Sequence, residues 1–215
     1  MIQLYYSPGS ANLVPHILLE EIGAPFELVL VDRASAAHKK PDYLKLNPNG
    51  QIPVLVDGDF VLYETAAIAL YLADCFPEKH LAPSFGTRER AHYTQWMVWC
   101  TNTLQAMLMH FFYPERMVDN GDTAAAAQVK RRAEARAGGM LDVLDQQLGA
   151  HGGEFVLGGQ FSAVDPYALM LGRWTRSFAR PARSLPHLGP YLQRMLARPA
   201  VLRAFASEKL SAPLI

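Results

Sequence analysis

The first stretch able to do chemistry is the loop Ser7-Pro8-Gly9-Ser10-Ala11-Asn12, between an apolar run at 2–6 and a helical pattern that follows. Its hydroxyls, its amide and the coming helix N-terminus form a donor set that stabilises an anion. Two further segments suit a polar ligand. Gln51-Ile52-Pro53-Val54 sets a proline at the head of a strand, and Tyr63-Glu64-Thr65 sets a carboxylate and a hydroxyl at a helix start. Downstream, Met107, His110, Phe111, Phe112 and Tyr113 cluster near the end of one long helical pattern, a lining suited to a less polar ligand.

The elements that must position these residues follow from periodicity. IQLYY at 2–6 reads as a strand, and Val14, Ile17, Leu18 and Ile22 recur on one helical face. Gly23 caps that helix, and FELVLVD at 26–32 is the near-continuous apolar run of a strand buried on both faces. A polar segment leads to PVLV at 53–56, the turn Asp57-Gly58-Asp59, FVLY at 60–63 and a helix at 65–76. The order βαβ, connection, ββα is that of a thioredoxin-like α/β domain over residues 1–78. Residues 77–87 read as a linker, and residues 88–215 as an all-α helical bundle domain without a convincing strand. Helical spacing joins Trp96, Cys100, Thr103, Met107 and Phe111; Val129, Ala133, Ala137, Met140, Leu144 and Leu148; and Leu188, Tyr191, Leu192 and Met195. Ser162-Ala163-Val164-Asp165 is a capping box that opens a further helix.

A thioredoxin-like domain ordinarily does thiol chemistry through Cys-x-x-Cys at the start of its first helix. The loop at 7–12 has no cysteine, so any sulfur must come from the ligand. Cys75 and Cys100 form neither a disulfide framework nor a paired zinc spacing; both read as small buried apolar residues of a protein from a reducing compartment, the cytoplasm. Twenty Lys and Arg balance twenty Asp and Glu. That zero net charge gives no field to hold nucleic acid or an anionic membrane, and it suits association with a second copy. No apolar run approaches the ~20 residues that span a bilayer, and no secretory leader opens the sequence.

Taken together, YYSPGSANLVPHILLEE, NPNGQIPVL, YETAAIALYL and FSAVD stand in the order found in cytosolic glutathione transferases, which the whole chain resembles. The resemblance is nearest the bacterial beta class around the opening loop. There the position of that class's catalytic cysteine holds Ala11, so a mixed disulfide through that cysteine is excluded. The resemblance implies a thioredoxin-like domain, an all-helical domain and a homodimer. It implies glutathione as co-substrate, a small hydrophobic electrophile as partner, no metal, and a role in detoxification. By the same resemblance Pro53 is cis and Val54 pairs with the cysteinyl backbone; Glu64 takes the γ-glutamyl ammonium and Thr65 its carboxylate. Gln51 is a further contact, and Lys39 or Lys40 meets the glycyl carboxylate. Met107, His110, Phe111 and Tyr113 then line the electrophile site.

Thiol activation has three candidates. A free thiol with a pKa of ~8.5 needs about 2.7 kcal/mol in favour of its thiolate to drop by two units. A hydrogen bond to a charged group contributes ~1.5–3 kcal/mol and a helix N-terminus ~0.3–1, so Ser10 is the first choice. Asn12 is the second, through its amide, and Tyr6 at the end of the first strand is the third. Each residue also has a plainer role: Ser10 as a cap, Pro53 as an edge-strand proline, Glu64-Thr65 as an ordinary helix start, His16 as a packed histidine. His110 divides between ligand contact and core packing, and Ser162 and Asp165 are structural. Beside conjugation stand two alternatives: a glutathione-dependent disulfide reductase, peroxidase or isomerase, favoured if Asn12 meets the sulfur, and a non-catalytic ligand- or protein-binding member of the family.

Overall fold

The computed structural model describes residues 1–150, 152 and 154–215. Strand β1 (Ile2–Tyr6) leads through the loop at 7–12 into helix α1 (Leu13–Ile22), and β2 (Phe26–Leu30) returns parallel to β1. Gly23, at φ 74°, stops α1 by donating its N–H to the Leu19 carbonyl at 2.9 Å, the left-handed cap that only glycine adopts without cost. A short helix α2 (Pro41–Leu44) precedes β3 (Val54–Asp57), which turns at Gly58 into β4 (Phe60–Tyr63). Helix α3 (Thr65–Cys75) closes this part of the chain.

The sheet order is β2-β1-β3-β4, with β3 antiparallel to both neighbours. Its side chains alternate as the pleat requires. Ile2, Leu4 and Leu55 join α1 and α3 in the main core, whereas Tyr5 and Val54 face a smaller cluster with Val31 and Tyr43. This is the thioredoxin-like arrangement expected from the order of elements. One expectation fails: β2 lies at the sheet edge and Leu30 is 60% exposed, so the apolar run at 26–32 is not buried on both faces. The run reads as central because its composition is apolar; its place in the sheet is fixed by β1 and β3 pairing with each other instead.

Helix α1 is buried all round from Leu13 to Leu19 rather than on one stripe. It lies between the sheet with α3 and the helical half, where α7 (Val164–Trp174) and α9 (Pro199–Ser207) cover its far side. Each fully buried Leu or Ile there contributes about 1.5–3 kcal/mol of gross burial energy. The helical half begins with α4 (Arg88–Trp99) and α5 (Ala106–Phe112), joined by a π-helical segment at Cys100–Gln105. Helices α6 (Thr123–Ala150) and α8 (Leu188–Leu196) complete it. Among the described residues no strand follows β4.

The π segment has a consequence for packing. Wider turns rotate the downstream face, so the buried series runs Trp96, Cys100, Leu104, Leu108, Phe111 and leaves Thr103 and Met107 only half-buried. The reading of Cys75 as buried also fails; it is exposed at the end of α3, while Cys100 is enclosed and its thiol pKa pushed far up by burial. At 162–165 the carboxylate half of the capping box forms: Asp165 accepts the Ser162 N–H at 2.8 Å and its hydroxyl at 3.2 Å, while the Ser162 oxygen accepts the Val164 N–H at 3.4 Å rather than that of Asp165.

Candidate functional site

A cavity of about 240 Å³ opens between the loop at 7–12 and the helical half. Its walls come from Ser10 on the loop, Lys39 and Gln51 from the segment before β3, and Met109, Phe112 and Tyr113 from the end of α5. Of the residues singled out in the sequence, Ser10, Lys39, Gln51, Phe112 and Tyr113 therefore line one cavity.

Ser10 is partly exposed in this wall, and its hydroxyl donates to Asn12 Oδ1 at 2.5 Å. Asn12 itself is fully buried. Its Oδ1 also accepts from the Ser7 N–H at 3.0 Å, and its Nδ2 donates to Glu208 Oε1 at 2.7 Å. Both polar atoms of the Asn12 amide are thus bonded within the protein, and Asn12 is not in the cavity lining. Tyr6 ends β1 outside the cavity lining, on the Leu4 side of the pleat. Ser10 alone of the three is in the cavity lining.

The segment before β3 is held by a local network. Tyr43 OH and Asn47 Nδ2 donate to the Gln51 carbonyl at 2.7 and 3.0 Å, and Lys39 Nζ donates to the Asn49 carbonyl at 3.2 Å. Gly50 sits inside this turn at φ 57°, where an added Cβ would stand 2.8 Å from the His38 carbonyl oxygen. The Ile52–Pro53 bond is cis, as the resemblance implies, and Val54 opens β3 in register with Tyr5 and Tyr63. Pro53 and Val54 are buried beside the cavity rather than in its lining.

Glu64 and Thr65 stand at the start of α3, also outside the lining. Glu64 is exposed and holds φ 75°, ψ 116°, a positive-φ conformation that costs a non-glycine residue of order 1–3 kcal/mol. Thr65 is buried at the helix's first turn.

The downstream cluster divides. Met107 and His110 line a separate cleft against α6, with Gln128 and Arg132, and Phe111 is buried against Phe178 at 4.7 Å between ring centroids. These three do not reach the cavity at the loop. Phe112 and Tyr113 of the cluster do reach it, and Met109 joins them, because the π segment turns the α5 face by a fraction of a turn relative to an unbroken helix.

Sequence reasoning passed over several residues. Trp174, from α7, donates Nε1–H to the Gly9 carbonyl at 3.1 Å and forms part of the cavity wall. Glu208, just past α9, is buried and accepts the Gly9 N–H on Oε2 at 2.7 Å, with His16 Nδ1 2.7 Å from its Oε1. Arg33, His38, Arg116 and Arg176 add basic side chains to the walls. Partial burial, then the positive charges of Lys39 and Arg33, push the His38 imidazole below its usual pKa. No local motif marks these residues, which are scattered from Arg33 to Glu208 along the chain.

This geometry has known relatives. The family model for the glutathione S-transferase N-terminal domain matches residues 1–74. Glutathione S-transferase GST-4.5 of Xanthomonas campestris is 32% identical over 214 residues, 98% of this chain and 100% of that protein. Among solved structures, a glutathione S-transferase from Xylella fastidiosa superposes with a TM-score of 0.88 at 30% identity, covering 98% of this chain and 100% of that one. A glutathione transferase homologue from Sulfitobacter with bound glutathione gives 0.89 at 27% identity, covering 98% and 99%. The chain belongs to the glutathione S-transferase family.

Proposed function

We propose that this protein is a glutathione transferase in which residues 1–78 bind glutathione, residues 79–87 link, and residues 88–215 supply the wall for an electrophile. The observation that carries the reading is the Ser10 hydroxyl, set in the cavity wall at the entrance to α1 beside Lys39 and Gln51. Glutathione lies with its thiol toward Ser10 and its glycyl carboxylate toward Lys39. Val54 pairs with its cysteinyl backbone after the cis Pro53, and Gln51 adds a contact. Glu64, in its strained backbone, takes the γ-glutamyl ammonium, and Thr65 with the α3 N-terminus takes the adjoining carboxylate.

Ser10 acts by turning its hydroxyl proton from Asn12 Oδ1 to the thiolate. The bond to Asn12 is neutral, about 1 kcal/mol net, and the bond to sulfur is charged, ~1.5–3 kcal/mol, so the rotation is favourable once the thiol has ionised. With the ~1 kcal/mol given up at Asn12 subtracted and ~0.3–1 kcal/mol added by the α1 N-terminus, the net is about 0.8–3 kcal/mol, which lowers the thiol pKa by about half a unit to two units. The thiol proton leaves to water. In a displacement, the sulfur lone pair forms the S–C bond as the carbon–leaving-group bond breaks and its electron pair departs. In an addition, the new carbanion takes a proton from solvent.

Two copies pair as a homodimer. Support comes from apolar side chains left in the open: Phe60 and Val61 on the edge strand β4, 45% and 37% exposed, and Phe85 at 74%. No described helix is long and apolar enough to cross a membrane. Cys75 and Cys100 are both free thiols, which suits a cytoplasmic place and a detoxifying role there. Calorimetric titration with glutathione tests the proposal: micromolar binding supports it, and no binding at millimolar concentration overturns it.

A further inference from the structure

The net charge of the chain is zero, yet the cavity at the loop is not balanced. Its lining includes Arg33, His38, Lys39, Arg116 and Arg176 and contains neither Asp nor Glu. Among the described residues none of these four cations, Arg33, Lys39, Arg116 and Arg176, is paired with a carboxylate; the ion pairs on Arg90, Arg180, Arg198 and Arg203 all lie elsewhere. Their contacts within the protein are neutral. Arg33 Nη2 donates to Tyr113 OH at 2.8 Å, and the Arg116 guanidinium stands 3.9 Å over the same ring. Arg176 Nη1 donates to the Arg173 carbonyl at 3.1 Å, and both Arg116 and Arg176 remain exposed.

Lys39, with His38 beside it, serves the glycyl carboxylate on the sheet side. Arg116 and Arg176 lie on the helical side with Phe112 and Trp174, whose rings meet edge to face at 5.8 Å. We infer that the electrophile taken by this site is a flat aromatic molecule bearing a carboxylate, its ring against Phe112 and Trp174 and its charge on Arg116 and Arg176. This rests on the glutathione transferase reading. Planar guanidinium groups suit a carboxylate, which a wholly apolar electrophile would leave unpaired across the wall. A neutral aryl ring gains only the aromatic half of the site.

The test uses two ready-made conjugates of glutathione, one carrying a 4-carboxy-2-nitrophenyl group and the other the matched carboxamide. Calorimetry with the full chain measures both, with glutathione alone as the reference. One charge-assisted contact predicts a carboxylate preference of about ten- to a hundredfold, narrowing as salt is raised. Arg116→Gln with Arg176→Gln should abolish the preference while leaving glutathione affinity within about twofold. Equal affinity for the two conjugates, with glutathione still bound, overturns the inference and leaves the parent reading standing. A preference that survives in the double variant overturns the assignment to these arginines. Failure of glutathione itself to bind overturns the parent reading, and this one with it.

Discussion

The carboxylate of Glu208 accepts a hydrogen bond from Asn12 Nδ2 at 2.7 Å across 196 residues of chain, with both residues enclosed in the protein. Asn12 in turn orients the Ser10 hydroxyl and the Ser7 N–H, and the second oxygen of Glu208 holds the Gly9 N–H. The loop that would meet the thiol is therefore shaped from the end of α9 as much as from β1 and α1. Buried carboxylates are retained only where such donors surround them, and here three do so, with His16 the third.

Glu208→Gln keeps the volume but replaces one acceptor oxygen with a donor facing Gly9, Asn12 or His16. A buried donor left facing another donor costs about 1–3 kcal/mol, which for a chain of this size lowers the melting temperature by about 2–12 °C. Scanning calorimetry reads the loss of stability. A parallel rise in KM for glutathione is expected as the loop loosens. A variant as stable as the parent would mean that Glu208 does not hold the loop.

Asn12→Ala should behave as a structural change. Thermal unfolding should drop by a few degrees, because the Ser7 N–H loses its partner and the Ser10 hydroxyl its anchor. The pKa of bound thiol should move by less than about half a unit, since Asn12 is not in the cavity lining. A shift as large as that of a Ser10 variant would place the Asn12 amide on the sulfur after all.

Gly50→Ala places a methyl group against the His38 carbonyl and the Lys39 side chain, at a φ of 57° that an alanine adopts only with strain. A cost of about 1–2 kcal/mol is expected, together with a several-fold rise in KM for glutathione as Lys39 is displaced. Urea unfolding and steady-state kinetics check the two effects separately. Unchanged kinetics would detach this turn from the glycyl end of the ligand.

Asp165 gives a pH dependence with a definite sign. Burial raises its carboxyl to about 6, against donated bonds from Val156, Ser162 and Tyr191 that pull the other way. The unfolded chain releases this proton near the ordinary value of ~3.9, so between those values the folded state holds the extra proton. Its contribution to stability is therefore largest near pH 4 and falls as pH rises toward 6, by ~3 kcal/mol at most. Urea midpoints of the parent and Asp165→Asn, compared from pH 4 to 7, should show the parent losing stability relative to the variant as pH rises. A parent that gains stability relative to the variant over that range would contradict the raised pKa.

The fold was legible in the sequence where local pattern and global packing agree. The alternation through Ile2 and Leu4, the stop at Gly23 and the hairpin at Gly58 are local, and each placed its element. What was illegible depended on the third dimension. The apolar run at 26–32 could not announce that it sits on an edge, and the π turn before α5 brought Met109 into the cavity beside the expected Phe112 while Met107 and His110 turned to another cleft. Glu208 looks like any acid after a helix, and Arg33, Arg116 and Arg176 are separated by most of the chain. Of the thiol candidates, Ser10 lines the cavity, whereas Asn12 is buried and bonded to Glu208, a carboxylate that no motif connects to it.

The most direct test of the central claim is the pH titration of bound glutathione, followed by thiolate absorbance in the ultraviolet, in the parent and in Ser10→Ala. The account predicts a bound thiol about half a unit to two units below the free value of ~8.5 in the parent. In Ser10→Ala the bound thiol should rise by about half a unit to one and a half units, with turnover reduced about two- to thirtyfold and glutathione affinity little changed. Identical titration curves for the two proteins would contradict it.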